Sequence, residues 1–219
     1  VVDPSISSIY NVDVLPHADI VLNSLTKYAA PEGDVIAGAV AIAPHCRDRE
    51  ALRGAIAAEL DPVYPRDLAR LAHQIGEYGD FVARLNRGAR HVIDHLARRR
   101  RGVRRLYWSL QESSRVNFLR VARGPDRIGP VLSFEVDGDM ARFYDALPLA
   151  KGPSFGMRTT LICPFVYLAH YDLISSAEGR ALLEGAQLSP DLLRMSVGEE
   201  SPDEIIAALE VGFHAAGLG

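Results

Sequence analysis

The pentapeptide SLTKY sets two hydroxyls, Ser24 and Thr26, three positions and one position before Lys27. The preceding residues 18–22 are apolar and β-branched. Lys27 therefore stands just past the carboxyl end of an expected strand, where ligands dock in open α/β sheets. The two hydroxyls can donate to a phosphate. A lysine that loses solvation in such a place becomes neutral, and only the neutral amine forms a Schiff base. Upstream, Asp3 follows Val1 and Val2 at what reads as the end of another strand. A carboxylate there can keep a ring nitrogen protonated, as an electron-sink cofactor requires. Spacing alone leaves a second reading open, in which these are ordinary loop residues.

The elements that must hold these groups follow from periodicity. Residues 18–22 and 35–43 are short apolar runs without clean alternation, the pattern of strands covered on two faces in a parallel sheet. Over residues 66–101, Leu68, Leu71, Ile75, Tyr78, Val82, Leu85, Ala89, Val92 and Leu96 recur three and four apart, which draws one apolar stripe down a helix. Gly76, Gly79 and Gly88 each weaken a helix by roughly 1 kcal/mol relative to alanine, so a bent helix or two helices in sequence are expected. After Gly102, residues 103–108 and 131–136 are strand-like. A short helix follows Asp139 as its cap, with Met140, Phe143, Tyr144 and Leu147 on one face. The last helix has Ser201 at the N-cap, Pro202 at its first position and Glu204 to complete a capping box. Ile205, Leu209 and Phe213 form its buried face, and Gly217 suits its C-terminal turn.

The totals narrow the class. A chain of 219 residues with 48% apolar and 24% charged residues has ordinary globular composition, and a formal charge of −4 disfavours a general polyanion binder. The run RRRRGVRR over residues 98–105 reads as the cationic end of a helix rather than a nucleic-acid patch. The two cysteines, Cys46 and Cys163, and the seven histidines show no Cys/His ligand pattern, so free thiols and no metal site are expected. No apolar run reaches the roughly 20 residues of a membrane span, no signal peptide opens the chain, and a cytoplasmic protein without membrane or nucleic-acid partners is expected. The dinucleotide fingerprint is missing, because the glycines of GDVIAGAV lie inside an expected strand rather than between strand and helix. The opening VVDPS reads as the tail of a strand, so residues upstream of it are expected.

The segments VVD, HADIVLNSLTKY and DVIAGAV resemble the pyridoxal-phosphate (PLP) enzymes of cysteine and methionine metabolism, which include cystathionine γ-synthase, the cystathionine lyases and methionine γ-lyase. That family reads V-D-N-T, then G-A-D-I-V-x-x-S-x-T-K-Y, then D-V-x-G-G or D-V-x-A-G. Downstream, VLSFEV is similar to its S-F-E strand, GPSFG to its S-L-G loop, and LLRMSVGEE to R-L-S-V-G-x-E. The likeness is looser over residues 51–101. It implies an α/β fold of the fold-type-I PLP-dependent class. Residues 1–65 would be a remainder of the large domain with its parallel sheet, 66–101 connecting helices, and 102–219 a small C-terminal α/β domain.

The resemblance also implies roles. Lys27 would hold pyridoxal 5'-phosphate as a Schiff base and then shuttle protons. Ser24 and Thr26 would bind its phosphate, and Asp3 would pair with the pyridinium nitrogen. Arg194 would grip the substrate α-carboxylate in a bidentate fork, with Ser154 as a second contact. A salt bridge from Arg194 to Glu199 or Glu200 is the alternative. The implied activity is that of a trans-sulfuration-type lyase or transferase, performing β/γ-elimination or γ-replacement on sulfur-containing or O-activated amino acids. A homo-oligomer, dimer or tetramer, is implied as well. Pro4 stands where asparagine is usual, Pro153 precedes Ser154, and Arg158 is unusual; these departures bear on the substrate. Family members are about twice as long, so a missing N-terminal half or a companion chain is expected. The rival reading is a catalytically inert relative or fragment that serves as an assembly module.

Overall fold

The computed structural model describes residues 1–99 and 101–219. Its elements run β1 (Ile20–Ser24), β2 (Gly38–Ile42), α1 (Arg49–Glu59), α2 (Pro65–Gln74), α3 (Tyr78–Arg98), β3 (Val103–Tyr107), α4 (Glu112–Leu119), β4 (Val131–Val136), α5 (Met140–Ala146), β5 (Ala150–Lys151), β6 (Leu161–Pro164), α6 (Phe165–Ala169), α7 (Tyr171–Ser175), α8 (Ala177–Gly185), β7 (Leu193–Ser196) and α9 (Pro202–Ala215).

The strands form two sheets. A five-stranded sheet has the order β3-β4-β7-β6-β5, antiparallel except where β5 meets β6. Alternation sorts its residues. Leu132, Phe134, Ile162, Leu193 and Met195 enter one core with Phe143 of α5, Leu209 and Phe213 of α9, and the C-terminal half of α3. Ser133, Arg194 and Cys163, directly opposite one another in the ladder, share the other face.

The second sheet differs from expectation. β1 and β2 pair antiparallel, Ile20 against Ile42 through Ser24 against Gly38, and the parallel neighbour of β1 is Val2, bridged to Val21. Parallel strands need a crossover, usually helical. Here residues 25–37 instead turn straight back, closed by Leu25 and Thr26 amides donating to Ala37 O at 2.9 and 3.2 Å.

The long apolar stripe is realised as two helices in sequence, interrupted by a 3-10 turn at Ile75–Glu77 that contains Gly76. Leu68 and Ile75 from the expected stripe are exposed. The stripe of α3 serves two cores. Phe81, Val82 and Leu85 join Tyr28, Val35, Leu71 and Tyr78, while Val92, Ile93 and Leu96 join the five-stranded sheet. Asp139 caps α5 through its side chain, accepting from Arg142 N at 3.0 Å. Ser201 occupies the N-cap of α9 without a side-chain cap, so the expected capping box does not form. In the basic run, Arg98 ends α3 as the helix-terminus reading requires, and Arg99 pairs with Glu210; residue 100 lies outside the described residues. Among the described residues no helix is long and apolar enough to cross a membrane.

Candidate active site

The turn after β1 is fixed before any ligand arrives. The Thr26 hydroxyl donates to Ala37 O at 3.3 Å and accepts from Ala37 N at 3.1 Å. The Ala30 amide donates to Lys27 O at 2.9 Å. Tyr28 is buried, donates its hydroxyl to Ile6 O at 2.7 Å, and lies parallel to the Tyr78 ring at 6.5 Å. Between these two fixed neighbours, the half-buried Lys27 side chain extends toward the loop before β6.

That loop is pressed onto the turn. Gly156 has φ +69°, and a Cβ on it would come within 2.8 Å of the Tyr28 ring, so backbone conformation and close approach both call for glycine. Its amide donates to Ser196 Oγ at 3.1 Å. Ser154 is thereby delivered to Lys27, whose Nζ donates to Ser154 Oγ at 3.1 Å and lies 5.0 Å from the centre of the Phe155 ring. Arg194, projecting from β7, donates to Pro153 O and stacks its guanidinium 4.0 Å over the Phe165 ring and 5.8 Å from Phe155. Burial first, and then the Arg194 charge, push the Lys27 amine below its ordinary value. Both effects disfavour the ammonium form and favour the nucleophilic free amine.

Asp3 and Ser24 form a neighbouring set. The Asp3 carboxylate accepts from Ser5 N at 2.9 Å and from Ser5 Oγ at 2.6 Å, and Ser5 Oγ in turn accepts from Ser24 N at 2.7 Å. Asp3 is thus tied through Oδ1 to the end of β1, and its Oδ2 has no hydrogen-bond partner among the described residues. Among the described residues no hydrogen bond or ion pair joins this set to Lys27.

The structure therefore gathers Lys27, Ser154 and Arg194 directly, and Asp3 and Ser24 through Ser5. Thr26 faces β2, its hydroxyl engaged with Ala37. Arg194 does not pair with the acidic residues offered as its alternative partners. Glu199 binds Arg84 and Arg158, and Glu200 binds Thr160. Sequence reasoning missed Ser5, Phe155 and Phe165. Asp-Pro-Ser carried a signal for Ser5, because an Asp side chain bonds its own backbone two residues on; the rings carried none. It also overlooked His91 and His95, four apart on α3. Their ring nitrogens meet Arg87 O at 2.9 Å and Glu210 Oε1 at 2.7 Å, and no group of three or more potential metal ligands occurs among the described residues.

The donor set suits pyridoxal phosphate: an amine held toward neutrality, a pre-oriented carboxylate, and a Ser24 hydroxyl without a hydrogen-bond partner among the described residues. Comparison with known proteins agrees. The profile of the Cys/Met metabolism PLP-dependent enzyme family matches residues 1–214. L-2-amino-4-chloropent-4-enoate dechlorinase/desaturase of Streptantibioticus cattleyicolor is 40% identical over 217 residues, which are 99% of this chain and 43% of that protein. Cystathionine gamma-synthase of Neurospora crassa is 34% identical over 94% of this chain and 32% of its own. The chain thus spans less than half the length of these curated relatives. The crystal structure of cystathionine gamma synthase from Xanthomonas oryzae pv. oryzae in complex with cystathionine superposes with a TM-score of 0.81 at 25% identity, covering 98% of this chain and 55% of that one. The fold is that of the fold-type-I PLP enzymes, and the chain belongs to the Cys/Met metabolism PLP-dependent enzyme family.

Proposed function

We propose that the protein to which this chain belongs is a PLP-dependent lyase or transferase that expels a leaving group from the γ- or β-carbon of a sulfur-containing or O-activated amino acid. The observation that carries this reading is the meeting of Lys27 Nζ with Ser154 Oγ at 3.1 Å beside Arg194. The names of the first two relatives favour the γ-carbon: one is a gamma-synthase, and the other acts on an amino acid bearing chlorine on its fourth carbon.

Once bound, pyridoxal phosphate supplies the electron sink that stabilises charge on the substrate α-carbon. Lys27 would hold it through Nζ and, when free, would take and return a proton at that atom. Ser154 orients that nitrogen through its hydroxyl. Arg194 offers its fork to the α-carboxylate, already flattened against Phe165 so that little ordering remains to be done on binding. Asp3 would keep the ring nitrogen protonated, and Ser24 would donate to the phosphate. Thr26 joins it only by turning its hydroxyl from Ala37 O, so it is the weaker of the two phosphate ligands.

In the same reading, residues 1–65 belong to the cofactor-binding domain, 66–101 connect, and 102–219 form the small domain. A further segment or companion chain completes the cofactor site, and the active form is a cytoplasmic homo-oligomer, dimer or tetramer.

This sequence offers two lysines, Lys27 and Lys151, and a labelling experiment on the whole protein names the anchor. Full-length protein loaded with pyridoxal phosphate and reduced with borohydride is digested and mapped. The adduct is expected on Lys27 and absent from Lys27→Ala. An adduct confined to Lys151 or to a lysine outside this chain overturns Lys27 as the anchor, and none, in protein that stays colourless, overturns the proposal and favours an inert assembly module.

A further inference from the structure

Arg158, on the loop that carries Ser154, closes a ring of four alternating charges. Its Nη1 donates to Glu199 Oε2 at 2.6 Å and its Nη2 to Glu77 Oε2 at 3.2 Å. Arg84 completes the circuit, with Nε 2.7 Å from Glu199 Oε1 and Nη2 3.5 Å from Glu77 Oε2. Both guanidinium groups sit over the Phe81 ring, 5.9 Å away for Arg84 and 5.7 Å for Arg158. Burial pushes the Glu199 carboxyl up, but hydrogen bonds from Arg158 and Arg84 outweigh it and hold the group below the usual carboxylate range. Glu199 therefore stays charged at neutral pH, and the same contacts push the Arg158 guanidinium above its ordinary value.

We propose that this ring is a positioning device: it anchors the far end of the loop that carries Ser154 and Phe155, and so sets both against Lys27. The proposal rests on the functional reading above. Around Arg158, the loop is fastened to three other segments. Its amide donates to Pro31 O in the lysine turn at 3.1 Å, its carbonyl accepts from Glu199 N past β7 at 2.6 Å, and its side chain reaches Glu77 just before α3 and Glu199, the two carboxylates that Arg84 of α3 also holds. Three residues separate it from Ser154. On its other side the loop is held by Pro153 O on Arg194 and Gly156 N on Ser196. The register of β6 does not depend on the ring, because Glu200 separately clamps Thr160 through its amide at 2.7 Å and its hydroxyl at 2.8 Å.

Magnitudes separate positioning from stability. Partly exposed ion pairs contribute only about 0.2–1 kcal/mol each, whereas a displacement of about 1 Å at a reacting group costs on the order of 100-fold in rate. Arg158→Met keeps the stem on Phe81 and removes both ion pairs. In full-length, cofactor-loaded protein, the turnover number is expected to fall about 10- to 100-fold with KM for the amino acid changed less than about threefold. In cofactor-free protein, the Gly156 and Arg158 amides are expected to exchange about tenfold faster. Arg84→Met, on a different element, reproduces both effects, and Arg158→Lys restores part of the turnover.

Unchanged turnover and exchange in Arg158→Met overturn the ring, as does a loss confined to Arg158 with Arg84→Met silent. If Arg158→Met does not fold, Arg84→Met and Glu77→Gln carry the same exchange test. Wild-type protein that never links cofactor to Lys27 sinks the functional reading instead, while the exchange measurement still reports on the ring.

Discussion

The five-stranded sheet and the two-stranded ribbon use similarly apolar strands but are covered very differently. β4 and β7 bury most of their residues, with Phe134, Leu193 and Met195 wholly inside against Phe143, Leu209 and Phe213. In β2 no residue is fully buried, Leu22 of β1 is 38% exposed, and α1 buries none of its residues. The candidate site takes Arg194 and Ser154 from the first region and Lys27 from the second. Its geometry is therefore set by the loop that presses Gly156 onto Tyr28, and a rigid half is lent to a less supported one. Perturbations that distinguish the halves test this contrast.

The largest effect is expected at Phe143, buried between the Phe134 and Phe213 rings at 5.9 and 4.7 Å. Phe143→Ala should cost about 3–5 kcal/mol, because the cavity lies among strands and helices that cannot collapse into it. Denaturant unfolding followed by the signal of Trp108 measures it. A cost below about 1 kcal/mol would show that the sheet region lacks the tight packing described.

How far each half could be read from sequence follows the same division. β4, the Asp139 cap and the buried face of α9 were legible because local pattern and tertiary environment agree there. The direction of β1 against β2 was not: a run of Val, Ile and Ala reads as doubly covered whether or not anything covers it. α1 escaped notice because a helix that buries nothing need carry no strict apolar stripe. At the site, Lys27, Ser24 and Thr26 lie within four residues and could be weighed by spacing. Ser154 and Arg194 could not, because contacts across more than a hundred residues leave no periodic trace. Only the resemblance pointed to them.

A smaller effect is expected where the N-terminal segment is stapled to the sheet. Buried Asn86 of α3 donates to Asn11 Oδ1 at 2.7 Å and accepts from Gly129 N at 2.9 Å. Asn86→Ala strands both partners, at a cost of about 1–3 kcal/mol. If the two regions respond as one cooperative unit, fluorescence and far-ultraviolet dichroism will lose the same amount of stability. Transitions that separate would instead show that the ribbon unfolds on its own.

The smallest effect is expected on the ribbon's open face. Leu22 lies in a cleft of about 450 Å3 lined by Val1, Ile20, Val40, Ala55, Ile56, Glu59 and Leu60, and much of its side chain still meets solvent. Exposed positions away from caps and networks respond within about 0.5 kcal/mol, so Leu22→Ser in this chain should be nearly silent. The sign is informative as well as the size. Removing exposed apolar surface leaves the folded state almost unchanged and makes the chain less prone to associate through that face. A loss above about 1.5 kcal/mol would approach the value for burying a leucine side chain. The β1 face would then be covered in solution, and the contrast between the two regions would lie in the isolated chain rather than in the working protein.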